Sequence, residues 1–185
     1  YLFLGGVAGG SGVLAAGAQL TGREVLRRNA RLSGLAAAGL GGVALIADLG
    51  RPDRFYNMLR TFKVTSPMSL GSWILSGFAS AAALPAAAEV DAATGHKLPL
   101  PKFVRTALQK AAGPAGAVAG VLGGPLAGYT AVLLSNTSNP VWNDMKKHLP
   151  YVFVSSAGAA SSGLAMVTTP VEHAGPARVL GMAAA

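Results

Sequence analysis

Residues 35–47 read LAAAGLGGVALIA, and residues 76–88 read SGFASAAALPAAA. Neither stretch carries a charge, and neither alternates polar with apolar positions as a membrane strand does over about 10 residues. Nor does either show the apolar stripe and polar face of a helix in a soluble bundle. Helices that are apolar on every side belong in lipid, so both stretches are read as membrane-spanning.

The same pattern repeats on either side of them. Charge-free intervals run over 1–22, 32–47, 64–88, 111–143 and 148–171, and a spanning helix needs roughly 17–25 mostly apolar residues. Five spans are predicted, near 1–20, 31–48, 68–89, 114–135 and 151–171. The fold class is therefore all-α, a polytopic transmembrane bundle over 1–172. Residues 173–185, ending ARVLGMAAA, form a loop or the opening of a sixth helix. No basic region precedes the first apolar run, which argues against a secretory signal peptide.

Composition agrees. Charged residues are 12% of the 185, against roughly 25% in soluble domains, too few to cover a water-facing surface. The net charge of +8 does not indicate nucleic acid, because the basic residues lie between apolar spans instead of forming a patch with interleaved aromatics. With no cysteine, this chain cannot form a disulfide framework, a thiolate zinc site or a cysteine-ligated iron–sulfur cluster.

The chain holds 25 glycines and 36 alanines. Small residues let helix backbones approach closely in lipid, where packing drives association. They recur four apart at Gly5–Gly9, Gly6–Gly10, Gly120–Gly124 and Gly124–Gly128, a pattern that also fits plain alanine-rich membrane filler. Pro85 and Pro125 fall inside spans, where a kink and a freed carbonyl are expected.

Alternating the spans places 21–31, 91–113 and the tail on one side with nine basic residues: Arg23, Arg27, Arg28, Arg31, Lys97, Lys102, Arg105, Lys110 and Arg178. The other side has six: Arg51, Arg54, Arg60, Lys63, Lys146 and Lys147. The positive-inside rule then puts the amino terminus outside.

Membrane b-type haem needs histidines projecting from helices into the bundle, and His96, His148 and His173 all fall in loops or at a helix end. Haem is therefore not expected in this chain, and neither is an intramembrane metal site or hydrolase. The remaining polar chemistry gathers at the outer helix ends. Asp48 closes the second span and GRPDRF follows; TSPMSLGSW opens the third span, and GYTAVLLSNTSNPVW closes the fourth. Each piece has a plain structural role open to it. Asp48 can mark the interface, Arg51 and Arg54 can hold lipid phosphates, and Trp73, Trp142 and Tyr129 can belong to aromatic belts. Arg51 can also cap a helix or pair with Asp48 or Asp53. Together, a carboxylate, a phenol and a guanidinium at one face are what a quinone headgroup needs, since its oxygens exchange protons as electrons move.

The strings YLFLGGVAGGSGVLAA at the start, ALIADLGRPDRFYNMLRTFKVTSPMSLGSWIL at 44–75 and GYTAVLLSNTSNPVW at 128–142 resemble the NrfD/polysulfide-reductase membrane-subunit family, in order and over about a third of the chain. The resemblance implies a haem-free, quinone-reactive membrane anchor that catalyses nothing alone. Its expected partners are a four-cluster ferredoxin-like iron–sulfur subunit, a molybdopterin catalytic subunit or related respiratory complex, and membrane lipid. The implied function is electron exchange between the menaquinone/menaquinol pool and that iron–sulfur subunit, in a bacterial plasma membrane; the alanine-rich composition favours menaquinone.

By the same resemblance, Tyr129 would hydrogen-bond the headgroup, Asp48 would accept or relay a proton, and Arg51 would hold that carboxylate. Ser66, Ser69 and Ser72 would line the entrance, and Arg54, Arg60, Asn136 and Trp142 would meet the iron–sulfur partner. Where some relatives carry a histidine or asparagine on the first helix, this chain offers Ser11 and Gln19. Relatives also commonly have several more helices, so the chain reads as a short subunit or as part of a longer one. Two other readings are a transporter or proton-conducting subunit, weakened by the lack of charge at mid-membrane, and a purely structural anchor.

Overall fold

A computed structural model describes residues 1–52, 55–60, 62–97, 99, 101–136 and 138–185. The described residues form helices α1 (Leu2–Leu20), α2 (Glu24–Asp48), α3 (Phe55–Arg60), α4 (Pro67–Ala93), α5 (Lys102–Ser135), α6 (Pro140–Asp144), α7 (Leu149–Thr168) and α8 (Gly175–Ala184), with a 3₁₀ turn at Met145–Lys147. Strands are absent among them. Five of these helices, α1, α2, α4, α5 and α7, are long and apolar enough to cross a membrane, matching the five predicted spans.

Three helices run past their charge-free windows. α2 starts at Glu24, so Arg27, Arg28 and Arg31 are helical; α4 continues through Glu89 and Asp91; α5 begins at Lys102. At 1.5 Å per residue the 34 residues of α5 span roughly 50 Å, well over the about 30 Å of a hydrocarbon core. Hydropathy marks what lies in lipid, whereas the helix continues as long as its backbone bonds do. The prolines do not end their helices: α4 continues through Pro85, and α5 through Pro114 and Pro125.

The turns explain the tight connections. Between α1 and α2 the chain reverses through Thr21, Gly22 and Arg23: Thr21 N–H donates to Gly17 O, Arg23 N–H to Ala18 O, and Gly22 takes φ +68°, a left-handed value that favours glycine. Ser66 caps α4, accepting from Ser69 N–H at 3.4 Å, and Pro67 follows in the first turn, where its missing N–H has no helical acceptor.

α1 is the centre of the bundle, packing on α2, α5 and α7; α4 lies against α5 and α2, and α8 folds back on α7. Backbones, not large side chains, make the closest contacts. A Cβ on Gly9 would run into the Gly123 carbonyl, and one on Gly123 into the Gly9 carbonyl. Gly6 and Gly10, four apart, meet Ala157 and Ser161, four apart on α7. Of the other spaced pairs, Gly5 and Gly124 have nothing within 4 Å of a Cβ, while Gly120 meets Ala16. The contact stripe therefore pairs Gly9 with Gly123, a match that spacing within one helix does not reveal. Between the helices sits an apolar layer of Phe78, Val7, Ala8, Ala37, Ala38 and Leu126.

Candidate functional site

The N-terminal ends of α1 and α4 and the C-terminal ends of α2 and α5 meet at one face of the bundle. There they enclose a cavity of about 190 Å³. α2 contributes Leu45 and Asp48, with Leu49 just past its end; α3 contributes Met58; α4 contributes Met68, Gly71, Ser72 and Leu75; α5 contributes Tyr129 and Leu133; and Tyr1 closes the side at the start of α1. The α4 residues recur at steps of three and four, so they share one face of that helix. Asp48, Ser72 and Tyr129, which the sequence scatters over more than eighty positions, thus line one space.

A second cavity of about 200 Å³ adjoins the first and shares Met58, Met68 and Ser72 with it; Asn57, Lys63, Ser66 and Ser69 complete its wall. Lys63 N–H donates to Ser69 Oγ at 3.1 Å. Ser72 Oγ donates to Met68 O at 3.0 Å, which commits its proton to its own helix and leaves oxygen lone pairs for accepting. Trp73, next to Ser72, stands edge-on to Phe62 with ring centroids 5.8 Å apart.

Tyr129 is held by a missing side chain. A Cβ on Gly71 would penetrate the Tyr129 ring, so only glycine at 71 lets α4 and the phenol share that space. Tyr129 is half-buried, Ser72 buried, and Asp48 exposed at the rim, an arrangement that sets a hydroxyl inside and a carboxylate where water reaches it.

The other expected site residues lie apart from this cavity. Arg51 is exposed and does not line it. Arg60 is exposed at the end of α3, Asn136 is exposed at the end of α5, and Trp142 is exposed on α6. Arg54 and Asp53 fall outside the described residues. On α1, Ser11 is buried and Gln19 lies at the opposite face, where its amide donates to Gly113 O; neither lines the cavity, and Tyr1 takes that position.

Sequence reasoning missed a polar cluster at the opposite face. Arg31 donates from Nη1 to Glu89 Oε1 at 2.7 Å and from Nη2 to Gln19 Oε1 at 2.6 Å; Arg27 Nε donates to the same carboxylate oxygen at 3.1 Å. Arg31 and Glu89 are both buried. Beside it, Asp91, 1% exposed, accepts from Arg105 Nε at 2.9 Å and lies 2.8 Å from His96 Nδ1. These charges look like loop residues when counted for orientation. The available signal was spacing: Arg27 and Arg31 share a helical face, and Glu89 ends the apolar run that faces them.

The family described as polysulphide reductase, NrfD, matches residues 1–171, and the chain belongs to that family. It is a multi-pass membrane protein, a membrane subunit of the polysulphide reductase and related reductase class. No curated protein and no solved structure matches the chain.

Proposed function

We propose that the Asp48–Tyr129 cavity binds a quinone or quinol headgroup, and that the subunit passes electrons between the menaquinone pool and an iron–sulfur partner. The observation that carries this reading is the convergence of Asp48, Ser72 and Tyr129, with Tyr1 at the side, in one cavity whose other walls are leucine, methionine and Gly71. Few polar groups on apolar walls suit a flat apolar ring with an oxygen at each end.

A bound quinol supplies two electrons and two protons. In this reading Tyr129 O–H orients one headgroup oxygen, Ser72 Oγ offers an acceptor, and Asp48 at the rim takes the two protons in turn and hands each to water as the electrons leave for the iron–sulfur partner. The neighbouring cavity around Asn57, Lys63, Ser66 and Ser69 gives the headgroup its way in. The exposed residues Arg51, Arg60, Asn136 and Trp142 surround the same face and suit docking of the iron–sulfur subunit, itself joined to a molybdopterin catalytic subunit or a related respiratory complex. In a bacterial plasma membrane the six-to-nine split of basic residues would put this face outside.

Purification in mild detergent, with mass spectrometry of the attached subunits and quinone extraction from the same sample, tests the assembly. Recovery of a cysteine-rich partner with stoichiometric menaquinone is expected; the chain alone, with neither, overturns the proposal. In the intact complex, Tyr129→Phe should slow quinol-linked electron transfer about tenfold, the worth of one hydrogen bond. Loss of the proton acceptor in Asp48→Asn should cost about a hundredfold or more. A purely structural anchor keeps full activity after both changes.

A further inference from the structure

We propose that Arg31 holds an ordered water inside the helix bundle, at the inner end of an aqueous inlet from the face opposite the Asp48–Tyr129 cavity, and that the layer around Phe78 closes that inlet. The inference goes beyond the quinone reading and does not depend on it.

The inlet begins as a vestibule of about 380 Å³ between the ends of α1, α2, α4 and α5, where Gln19, Arg27, Arg31, Glu89, Gln109 and Gly113 meet. Arg31 forms its floor. The guanidinium bonds Glu89, Gln19 and, at 3.4 Å, the Ala112 carbonyl, so both terminal nitrogens are engaged. Its Nε–H is not: among the described residues, Arg31 Nε is the buried side-chain polar atom with no hydrogen-bond partner. Arg31 is 9% exposed, and an unmet charged donor at that depth is costly.

Arg31 also lines a small cavity deeper in the bundle, walled by Gly12, Ala30, Phe78, Pro85 and Ala119. Its volume of about 10 Å³ is close to the space one water centre occupies. Pro85, which lines the cavity, frees a carbonyl on its own helix. Pro85 has no N–H, so the Ala81 carbonyl, one turn earlier on the same side of α4, loses its helical donor. A water that accepts from Arg31 Nε–H and donates to Ala81 O meets both needs. A larger guest does not fit, and an anion would have to be stripped of its hydration beside a guanidinium already paired with Glu89.

Inward of this point, among the described residues, no charged side chain is buried, and the buried polar groups are hydroxyls such as Ser11. Phe78 is fully buried, Gly12 gives way to its ring, and Val7, Ala8, Ala37, Ala38 and Leu126 complete the layer. One face of α4 therefore carries, in order, the near cavity (Met68, Ser72, Leu75), the seal (Phe78), the water niche (Ala82, Pro85) and the vestibule (Glu89, Ala92).

Millisecond X-ray radiolysis of the intact protein in nanodiscs tests this, because hydroxyl radicals born from a bound water oxidise the side chains it touches. Each rate is normalised to that of the unfolded chain. Phe78 should be oxidised severalfold faster than Leu126, its neighbour in the dry layer, and the Phe78 signal should be lost in Arg31→Lys, which keeps the charge toward Glu89 but removes Nε–H. Equal rates at Phe78 and Leu126, low or high, overturn the proposal, as does a Phe78 signal unchanged in Arg31→Lys. If that variant fails to assemble, the wild-type comparison decides alone.

Discussion

Gly71 controls Tyr129 by having no side chain. The ring occupies the volume a Cβ would take, so Gly71→Ala must move the phenol or part α4 from α5. Overpacking of this kind costs about 1–3 kcal/mol. The expected outcome is a loss of quinol-linked activity in the intact complex at least as large as that of Tyr129→Phe, with the subunit still assembled; unchanged activity would mean the phenol does not act from this position. Asp48 and Tyr129 were legible in the sequence because each is a rare polar group at the end of an apolar run. Gly71 was not, since a glycine among 25 acquires meaning only when the facing helix is in place. Arg51, though close to Asp48 in sequence, does not line the cavity.

Between elements, glycines separate into those that touch and those that do not. Gly9→Leu and Gly123→Leu should each break the α1–α5 contact and prevent recovery of folded protein. Gly5→Leu and Gly124→Leu, whose sites have nothing within 4 Å, should leave yield and melting temperature unchanged. Size-exclusion profiles of the four variants check this. The count and order of the five spans were readable from charge-free windows, because burial in lipid excludes unpaired charge. Helix ends were not: Asp91 and Lys102 are helical because charges paired or reaching water do not terminate a backbone ladder. The α4–α5 corner shows the consequence. Asp91 ties Arg105 and His96 together, and the chain passes it with left-handed backbone at Gly95 and His96, φ +63° and +61°. Replacing Asp91 by Ala should remove the carboxylate that pairs with Arg105 and lower the melting temperature of the purified protein.

For the molecule as a whole, polarity is divided between two ends separated by an apolar layer. At the far end Glu89 serves two arginines, and Glu89→Gln leaves both without a counter-charge. Breaking a buried pair costs about 3–5 kcal/mol, so that variant should unfold at markedly lower temperature than wild type. Removing both charges with Arg31→Met and Glu89→Met should recover part of the loss, as thermal melts in one detergent would show. None of this partnership was visible as a motif, since Arg31 and Glu89 lie on different helices and are joined only by the packing of α2 on α4.

The central position of α1 also bears on how the protein is made. Its glycine face meets α5 at Gly123 and α7 at Ser161, residues that leave the ribosome more than a hundred positions after Gly9, on the order of 10 s later at ordinary elongation rates. The hairpin of α1 and α2 can close at once through its three-residue turn, but the rest of α1 must wait in the bilayer with its partners unborn. Lipid chains, or an insertase, shelter that face until α5 and then α7 arrive, and assembly of the bundle is tied to the synthesis of α7.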